Sequence, residues 1–439
     1  MYVTKLSLSN FKCFEKVDAP LSKITLLTGS NSSGKSSFLS GLLGPLQSKM
    51  FPFYLSPNGK YANMGDYKGM VFKNLIGRRI GIDISVAGKA GKNKCNFNTE
   101  WVSEKRTKMP RLNRLKVTSS IATIGISTDK TGKNYIFNFK YDPKKLGGSS
   151  AEMFKAFKPI LSFLQKTVDK APSSKKSKML ELSPLKPHNI KNRRFKILDN
   201  IIEQLPFLPP FPYFKQSDMN FISSFRLQPE RTYYQKSKAG EKVGKYGENY
   251  IDQILEWESQ KSSEFGELNS SLRNLNLLYS IKSKQLYGGR FELRVKMQNK
   301  GIWAVLSDVG FGISQFLPII VADLQLGTNS TLFLAQPEIH LHPCVQAALG
   351  DYLVKQVNKN AKRYLVETHS EYLLNRIRLA VVKGHLKPSD LSIYYFENSV
   401  VGTQTYEIKF TKDGQIEGAP KSFFETYMMD VMNIALNTK

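Results

Sequence analysis

Residues 29–36 read GSNSSGKS and match the motif G-x-x-x-x-G-K-[ST] in full. The apolar run ITLLT before the motif predicts a buried strand, and the apolar spacing of SSFLSGLLGPLQS predicts a helix that continues to Pro45. In a strand–loop–helix arrangement, consecutive backbone N–H groups surround an anion at the helix N-terminus, and the turn requires glycine at both ends. The stretch therefore predicts a phosphate-binding loop in an α/β fold.

The residue types in this loop indicate nucleotide binding with a divalent ion. Lys35 is expected to reach the β- and γ-phosphates, and the Ser36 hydroxyl is expected to bind Mg²⁺. The predicted cofactors are therefore ATP and Mg²⁺. A chance glycine-serine turn is the alternative, but it leaves the flanking strand and helix without explanation. The candidate binding residues of the loop are Gly29, Ser30, Asn31, Ser32, Ser33, Gly34, Lys35, Ser36 and Ser37.

The composition is that of a globular protein with excess positive charge. Of the 439 residues, 41% are hydrophobic and 11% are aromatic, which allows a sizeable core. The 64 Lys and Arg outnumber the 36 Asp and Glu, and the formal charge of +28 favours a polyanionic partner such as nucleic acid. A Lys-rich surface that only serves solubility explains the charge equally well.

Three sequence features predict a cytoplasmic protein without a membrane partner. The cysteines Cys13, Cys95 and Cys344 are far apart and have no ligand spacing, which favours reduced thiols. The start of the chain lacks the basic and apolar regions of a signal peptide. No apolar run approaches the ~18 residues of a membrane span.

The apolar pattern predicts two kinds of sheet. Residues 2–11 alternate as in a strand, and short stretches such as 79–88 and 134–142 predict further strands of an antiparallel sheet. In the last third of the chain, strands alternate with helices, which implies a parallel sheet covered on both faces. The predicted elements there are the strands FELRVKMQ, TLFLAQ and RYLVETHS and the helices GISQFLPIIVADLQLG, PCVQAALGDYLVKQVNK and EYLLNRIRLAVV.

Five stretches together resemble the ABC-type ATPase heads of the SMC, RecF and OLD-nuclease group. NSSGKSS and LAQPEIHLHP are also similar to motifs of AAA-family ATPases from bacterial anti-phage defence modules, such as PtuA of Septu. The resemblance implies an ABC-type ATPase head, in which a mixed or parallel sheet flanked by helices joins an antiparallel β lobe. The five stretches are the phosphate loop, LSLSNFKCF, SDVGFGISQFLPII, LAQPEIHLHP and VETHSEYLLNRIR.

The resemblance also implies a dimer, because in such heads two chains sandwich two nucleotides. A glycine-rich signature of one chain caps the γ-phosphate held by the other, and Gly310, Gly312 and Ser314 match this signature. Gly310 occupies the place of the usual signature serine, for which Ser314 is the candidate substitute. His369 matches the switch histidine beside the γ-phosphate. Lys12 matches a basic residue beside the nucleotide, although a solvated lysine at a strand end explains it nearly as well.

The acids expected for hydrolysis are missing from the strand TLFLAQ. In the broader group this strand ends Asp-Glu-Pro, where Asp holds Mg²⁺ through water and Glu activates the attacking water. Here Ala335 and Gln336 occupy those positions. Gln orients a water without accepting its proton, and general-base help contributes about 10²–10⁴-fold. Gln336, Glu338 and His369 are therefore the candidate catalytic residues of a slow or conditional ATPase.

The sequence divides into three predicted segments. Residues 1–140 form the first part of the ATPase head, 141–275 a basic and partly helical insertion, and 276–439 the rest of the head with signature, strand and switch histidine. Within the insertion, residues 141–200 contain 14 Lys and Arg against 5 Asp and Glu. This stretch is the candidate surface for nucleic acid.

Several functions fit this combination of motifs. The resemblance favours an ATP-dependent clamp in anti-phage defence that gates a separate effector, a nuclease or a toxin. A DNA-repair or chromosome ATPase of the RecF or SMC kind is the first alternative, although long heptads are absent. An ATP-stabilised scaffold without hydrolysis is the second alternative, because Ala335 replaces an acid. An OLD-type nuclease is rejected, because no Asp-x-Asp follows the ATPase motifs.

Overall fold

The computed structural model describes residues 2–48, 51–88, 94–119, 122–128, 135–141, 178–180, 218–234, 241–420, 422–423 and 436. The chain divides into two units. Unit 1 consists of Met1–Pro20 and Ser37–Lys215, and unit 2 consists of Leu21–Ser36 and Gln216–Lys439. None of the helices within the described residues is long and apolar enough to cross a membrane.

Unit 1 is built on an antiparallel sheet of eight described strands. They are β1 (Tyr2–Phe11), β2 (Phe14–Pro20), β4 (Ile80–Ala87), β5 (Cys95–Ser103), β6 (Pro110–Ser119), β7 (Ala122–Thr128), β8 (Tyr135–Tyr141) and β9 (Lys178–Leu180). Strand β3 (Ile24–Gly29) belongs to unit 2. The order in the sheet is β2-β1-β4-β5-β6-β7-β8-β9. The alternation of IGIDISVA buries every second residue of β4, as expected for a strand with one face on a core.

The core of unit 1 lies under this sheet and contains much of helix α1 (Lys35–Gln47). The rings of Phe14 and Phe38 meet edge to face at 6.4 Å. The short helix α2 (Tyr67–Met70) contributes Tyr67, whose buried hydroxyl donates to the carbonyl of Trp101 at 2.9 Å. A buried phenol requires such a partner, because an unpaired hydroxyl in a core is costly.

Unit 2 is centred on a seven-stranded sheet whose middle is parallel. Its remaining strands are β10 (Met219–Ile222), β15 (Thr331–Ala335), β16 (Arg363–Glu367), β17 (Leu391–Ser399), β18 (Gly402–Phe410) and β19 (Ile416–Glu417), in the order β10-β15-β16-β3-β17-β18-β19. Strands β10 to β17 in that order run parallel, and β18 and β19 add antiparallel edges. All six residues of β3 are buried, which explains its continuous apolar sequence.

Five helices complete the described part of unit 2. They are α3 (Tyr250–Ser259), α4 (Ser263–Asn274), α5 (Phe311–Leu324), α6 (Pro343–Asn360) and α7 (Glu371–Val382). Side chains of these helices and of the sheet form one buried apolar cluster. Because β3, β15 and β16 are parallel, their carboxyl ends meet at one edge of the sheet, which is the common ligand-binding edge of such folds.

A charged network lies inside this cluster. Asp323 of α5 is fully buried and forms an ion pair of 3.0 Å with the buried Lys362. The hydroxyls of Tyr352 and Tyr364 also donate to its carboxylate, at 2.5 and 2.9 Å. Burial and the neighbouring carboxylate raise the pKa of both tyrosines well above the ordinary value. The network joins α5, α6 and the start of β16.

A smaller antiparallel sheet also belongs to unit 2. Its strands are β11 (Tyr233–Tyr234), β12 (Ser280–Gln285), β13 (Arg290–Lys296) and β14 (Trp303–Val305), and β13 pairs with the other three. Phe291, Leu293 and Val295 point from β13 into the buried cluster. The alternate residues of β13 therefore lie on the other face.

The predicted α/β fold class, with an antiparallel lobe and a mainly parallel sheet, is confirmed, as are the strands and helices predicted for the last third. The predicted segment boundaries at 140 and 275 stay a prediction. Unit 2 includes residues 216–275, and within this range β10 pairs with β15 in the parallel sheet. Residues 142–177 and 181–217, which contain most of the predicted basic insertion, lie outside the described residues.

Candidate nucleotide-binding site

The loop between β3 and α1 has the strongly curved backbone that its glycines predict. Gly29, Ser32 and Gly34 have φ values of +133°, +59° and +105°. A Cβ on Gly29 would lie 2.1 Å from the carbonyl oxygen of Phe396 on β17, so only glycine fits there. Alternation of positive and negative φ turns successive N–H groups toward one point, which is the geometry of an anion nest.

Lys35 lies at the start of α1 with its ammonium folded into this loop. Its Nζ donates to the carbonyls of Gly29 at 3.0 Å and Ser30 at 2.6 Å. Burial lowers the pKa of Lys35, and the charges of Glu367 and Glu338 partly oppose that shift. The ammonium therefore lies inside a cradle of backbone atoms, close to where the motif requires a phosphate.

Ser36 contacts a carboxylate that the sequence reasoning did not select. Its Oγ donates to Oε1 of Glu367, at the end of β16, at 2.7 Å. Burial raises the pKa of Glu367, whereas the Ser36 hydrogen bond and the Lys35 charge lower it. A hydroxyl and a carboxylate are oxygen ligands of the kind that Mg²⁺ prefers, so the residues present fit this ion.

Ala335 is the last residue of β15, and Gln336 follows it, as the sequence predicts. Gln336 has a left-handed backbone with φ of +45°, which is unusual for a residue with a side chain. Its N–H donates to the carbonyl of Glu367 at 2.7 Å. Its carbonyl accepts a hydrogen bond of 2.8 Å from the guanidinium of Arg226. The strained turn before Pro337 is thus held from both sides, as is common at functional loops.

Glu338 is buried next to this turn. Its Oε1 accepts a hydrogen bond of 2.7 Å from the backbone N–H of His369. Within the described part of the chain, its Oε2 has no hydrogen-bond partner. Burial raises the pKa of Glu338, although the His369 and Thr368 hydrogen bonds and the charge of Arg226 act in the opposite direction. A carboxyl with a raised pKa has the property that a general base at neutral pH requires.

His369 follows β16 and lies at the same edge of the sheet. Its side chain is exposed, and its pKa is lowered by partial burial and by the charge of Lys35. The imidazole is therefore mainly neutral at pH 7 in this state. A neutral imidazole can donate a hydrogen bond to a phosphate from one ring nitrogen.

Arg226 is a second residue that the sequence reasoning did not select. Its buried guanidinium donates to the carbonyls of Gln315 on α5, at 2.9 Å, and of Gln336. Burial lowers the pKa of Arg226 to about 10, and the charge of Glu338 opposes this shift. The residue links the first turns of α5 to the loop after β15.

The glycine-rich signature forms the N-terminus of α5. Gly310 is exposed there, and no atom of the residues that the structure describes lies within 4 Å of its Cβ position. Gly312 has a steric role instead, because a Cβ on it would lie 2.4 Å from the carbonyl oxygen of His340. Ser314 is buried, and its hydroxyl donates to the carbonyl of Phe311 at 2.8 Å. Its burial argues against Ser314 as a substitute for an exposed signature serine.

Lys12 belongs to unit 1, whereas the site residues named above belong to unit 2. Its backbone N–H donates to the carbonyl of Met70 at 2.7 Å, and burial lowers the pKa of its ammonium. The expected place of Lys12 beside a nucleotide stays a prediction. Ser37 follows Ser36 in α1 and is the first residue of that helix in unit 1.

The structure thus brings the phosphate loop together with Gln336, Glu338 and His369 at one edge of the parallel sheet. It adds Glu367 and Arg226. Glu367 has a visible sequence signal, since it is a charged residue that ends an apolar strand. Arg226 has no such signal, because it lies more than a hundred residues from Gln336 along the chain.

Residues 1–374 match the AAA ATPase domain family. This stretch includes the phosphate loop, the strand with Ala335, and the loop with His369. A comparison with curated proteins gives no match.

Three solved structures similar to this chain are heads of SMC proteins. The SMC head domain from Thermotoga maritima aligns at 10% identity with a TM-score of 0.41, over 92% of this chain and 98% of that chain. The Smc head domain from Pyrococcus furiosus, with an extended coiled coil and bound to the C-terminal domain of ScpA, aligns at 10% identity and 0.45, over 99% of both chains. An SmcHead bound to the C-winged helix domain of ScpA aligns at 12% identity and 0.41, over 94% and 99%.

Proposed function

We propose that this chain, which belongs to the AAA ATPase domain family, binds Mg-ATP at the loop between β3 and α1 and hydrolyses it slowly or conditionally. We further propose that the chain dimerises around nucleotide. In that state it gates a separate effector, a nuclease or a toxin, in a bacterial anti-phage defence system.

The geometry of residues 29–36 is the observation that carries nucleotide binding. The positive φ values of Gly29, Ser32 and Gly34 curve the loop around the ammonium of Lys35. Among the described residues, the Lys35 ammonium donates its hydrogen bonds to backbone carbonyls of its own loop. A phosphate would offer that ammonium a full negative charge, which is the stronger partner.

The residues of this edge divide the work of the reaction. Lys35 would hold the β- and γ-phosphates, and the Ser36 hydroxyl would hold Mg²⁺. When bound, Mg²⁺ would neutralise charge that develops on the phosphate oxygens. His369, whose lowered pKa keeps its imidazole mainly neutral at pH 7, would donate a hydrogen bond to the γ-phosphate. The remaining task is the activation of water.

Gln336 and Glu338 share that task and make it slow. Gln336 orients the attacking water through its amide, but an amide does not accept the proton. The pKa of Glu338 is raised, and among the described residues its Oε2 has no hydrogen-bond partner. Both properties suit a proton acceptor. Its Oε1, however, is engaged by the His369 backbone. Proton transfer to Glu338 therefore depends on the arrangement of the loop that contains His369.

The exposed start of α5 supports dimerisation around nucleotide. Among the described residues, no contact requires glycine at Gly310, because nothing lies within 4 Å of its Cβ position. The N-terminus of a helix attracts an anion, and a glycine there lets backbone approach it closely. A γ-phosphate held by a second copy fits this surface. Gating of an effector is supported by the resemblance of the sequence motifs to defence ATPases.

A scaffold that holds ATP without hydrolysis is the second candidate function. Ala335 offers no carboxylate at the strand end, and Oε1 of Glu338 is already bonded. A repair or chromosome ATPase of the RecF or SMC kind shares the nucleotide chemistry. A nuclease or toxin gene adjacent to the gene of this protein would favour defence over that alternative.

Titration of the protein with a fluorescent ATP analogue and Mg²⁺, together with phosphate release under saturating Mg-ATP, tests the proposal. Lys35→Ala should weaken analogue binding about tenfold or more, since hydrogen bonds to charged groups contribute ~1.5–3 kcal/mol. Lys383→Ala, which removes an exposed lysine on α7's C-terminal side, is the matched control and should bind as the parent does. Binding without phosphate release would favour the scaffold, and absence of binding in the parent would overturn the proposal.

A further inference from the structure

We propose that Glu367 supplies the carboxylate of the magnesium site, in place of the acid that the end of β15 lacks. This inference rests on the proposed binding of Mg-ATP. It assigns the role of the missing acid to the neighbouring strand β16.

The register of the parallel sheet makes this exchange geometrically direct. Ala335, at the position of the expected acid, pairs with Glu367 across β15 and β16. Strand β16 lies between β15 and β3, and Glu367 itself pairs with Leu27 of β3. An acid on β16 is thus one strand closer to the phosphate loop than an acid at Ala335. In this interpretation the carboxylate of the magnesium site lies on β16 and not on the neighbouring strand β15.

The contacts of Glu367 place its carboxylate where a ligand of Mg²⁺ is expected. Ser36 is the residue whose hydroxyl the loop motif assigns to Mg²⁺, and this hydroxyl donates to Oε1 of Glu367 at 2.7 Å. Glu367 is 4% exposed, and the positive charge of Lys35 lowers its pKa. A buried carboxylate is costly unless it is paired or binds a metal. The phosphate loop and Glu367 together provide both the oxygen donors and the charge.

A purely structural role for Glu367 is the competing interpretation. The residue would then only anchor the start of α1 through Ser36. Glu367→Gln separates the two roles, because the amide oxygen still accepts from Ser36 while the charge that binds Mg²⁺ is gone. Ala335→Asp combined with Glu367→Gln returns a carboxylate to β15 directly opposite position 367.

The test is the affinity for a fluorescent ATP analogue, measured in EDTA and across a Mg²⁺ titration. In EDTA, Glu367→Gln should bind the analogue with the affinity of the parent. To reach the same Mg²⁺-dependent increase in affinity, it should require an Mg²⁺ concentration about tenfold higher or more. The Ala335→Asp/Glu367→Gln pair should recover at least part of the parent's Mg²⁺ response. Glu371→Gln, which removes a carboxylate from the first turn of α7, is the control and should respond as the parent does.

The outcomes distinguish this inference from the function on which it rests. A parent that does not bind the analogue contradicts the proposed function. A parent that binds, with an unchanged Mg²⁺ response in Glu367→Gln, overturns the role of Glu367 alone. If Glu367→Gln weakens binding equally in EDTA and in Mg²⁺, the residue is an anchor and the inference is also overturned. Thermal melts of each variant show whether the fold is retained.

A different observation supports a second inference, which concerns the small sheet of unit 2. We infer that its solvent-facing side binds the phosphate backbone of a nucleic acid. We call this side the basic face and define it by Lys282, Lys284, Arg290, Arg294, Lys296 and Trp303. It is separate from the predicted basic segment 141–200.

The strand alternation places these cations together. Ile281, Phe291, Leu293 and Val295 are buried, so the residues between them on β12 and β13 lie on the opposite face. Two of the cations, Lys282 and Arg294, are direct cross-strand partners. Like charges in opposite positions repel each other, and an anionic ligand over this face would reduce the repulsion that Glu292 does not already offset.

An aromatic side chain lies among the cations. Trp303 pairs with Lys296, and its ring has Nζ of Lys282 at 4.2 Å and Nζ of Lys296 at 5.9 Å from its centroid. Glu292 is the carboxylate among the face positions of β12 and β13. It lies opposite Lys284 across the strands and accepts a hydrogen bond of 2.8 Å from Nε of Arg294. The face therefore retains a clear positive excess. Interleaved cations and an indole fit a nucleic acid, which offers both phosphates and stacking bases, better than an acidic protein.

Fluorescence anisotropy with labelled single-stranded and duplex DNA, over a range of salt concentrations, tests the basic face. The triple variant Lys282→Glu, Lys284→Glu and Lys296→Glu should weaken binding, and for the duplex it should reduce the slope of log K against log salt by up to about 0.9 per lost phosphate contact. Trp303→Ala should weaken single-strand binding more than duplex binding. The control Lys355→Glu, Lys383→Glu and Lys412→Glu makes the same change of charge at exposed lysines elsewhere in unit 2. Equal loss in both triple variants, or no loss in either, would overturn the assignment.

Discussion

The backbone N–H of His369 donates a hydrogen bond of 2.7 Å to Oε1 of Glu338. The two residues follow neighbouring strands, β16 and β15, so the bond ties together the two loops that border the phosphate loop. Glu338 is thus both a structural acceptor and the candidate proton acceptor. A substitution that keeps the first property and removes the second can tell which one the protein uses.

Glu338→Gln should keep nucleotide binding and abolish residual hydrolysis. The amide oxygen of Gln can still accept from the His369 N–H, so the loop geometry is retained, but the amide does not accept a proton. The measurement is phosphate release under saturating Mg-ATP, together with the affinity for a fluorescent ATP analogue. Hydrolysis at the parent's rate in this variant would assign the base to another residue.

The buried Glu338 should also make stability depend on pH. Burial raises its pKa in the folded state above the value of 4.5 for an exposed glutamate, so the folded protein binds more protons than the unfolded chain between these two values. The free energy of unfolding therefore falls as pH rises through that window. Relative to the parent, Glu338→Gln should gain stability above the raised pKa and lose that advantage below 4.5. Thermal melts of both proteins across this range provide the comparison, and a difference that does not vary with pH would contradict the prediction.

The local elements of this site follow from the sequence, because they depend on near neighbours. The apolar spacing of EYLLNRIRLAVV predicts α7, which spans Glu371–Val382, and the motif predicts the turn between β3 and α1. These are patterns of periodicity and of glycine conformation. The predicted strands at 331–336 and 363–370 also end at the candidate residues.

The partners of these elements do not follow from the sequence order. Nothing local indicates that β16 lies between β15 and β3, so the proximity of Glu367 to Ser36 is visible only in the fold. Arg226 binds the carbonyl of Gln336, which lies 110 residues away along the chain. The sequence around Arg226 does not distinguish this buried arginine from an exposed one. Strand order and such long-range contacts depend on how helices cover the sheet.

The buried ion pair of Asp323 and Lys362 should be essential to the stability of unit 2. Lys362→Met leaves the Asp323 carboxylate in the core without its cation and should cost about 3–5 kcal/mol. Lys359→Met is the control, because the 3.1 Å contact of Lys359 with Glu267 is exposed and should contribute about 0–1 kcal/mol. Urea denaturation of both variants measures the difference. The double variant Asp323→Leu/Lys362→Met should recover part of the loss, and an equal cost for both single variants would contradict the role of the pair.

Gly310→Glu should block nucleotide-dependent dimerisation without harming the fold. The Cβ position at Gly310 is open among the described residues, so the new side chain should disturb a second molecule that approaches the start of α5. Gly312 is a poorer probe of the interface, since any side chain there meets the His340 carbonyl. Sedimentation velocity with Mg²⁺ and a slowly hydrolysed ATP analogue should show dimers for the parent and monomers for Gly310→Glu.

Gly327→Glu is the matched control for that experiment. Gly327 lies beyond the other end of α5, is exposed, and likewise has nothing within 4 Å of its Cβ position. It should dimerise as the parent does. Dimers that persist in Gly310→Glu would place the contact between copies away from the signature.

The last prediction returns the missing acids to β15. Ala335→Asp places a second carboxylate beside Glu367, and two buried carboxylates at one site repel each other unless a cation lies between them. The variant should therefore be less stable than the parent in EDTA and regain stability when Mg²⁺ and ATP are added.

Adding Gln336→Glu to Ala335→Asp supplies a base at the strand end, where general-base help is worth about 10²–10⁴-fold. Phosphate release by the double variant should exceed that of the parent, and if the ATP-bound state restrains an effector, the shorter lifetime of that state should release effector activity. A parent that already hydrolyses as fast as the double variant would mean that Glu338 or Glu367 fully replaces the lost acids.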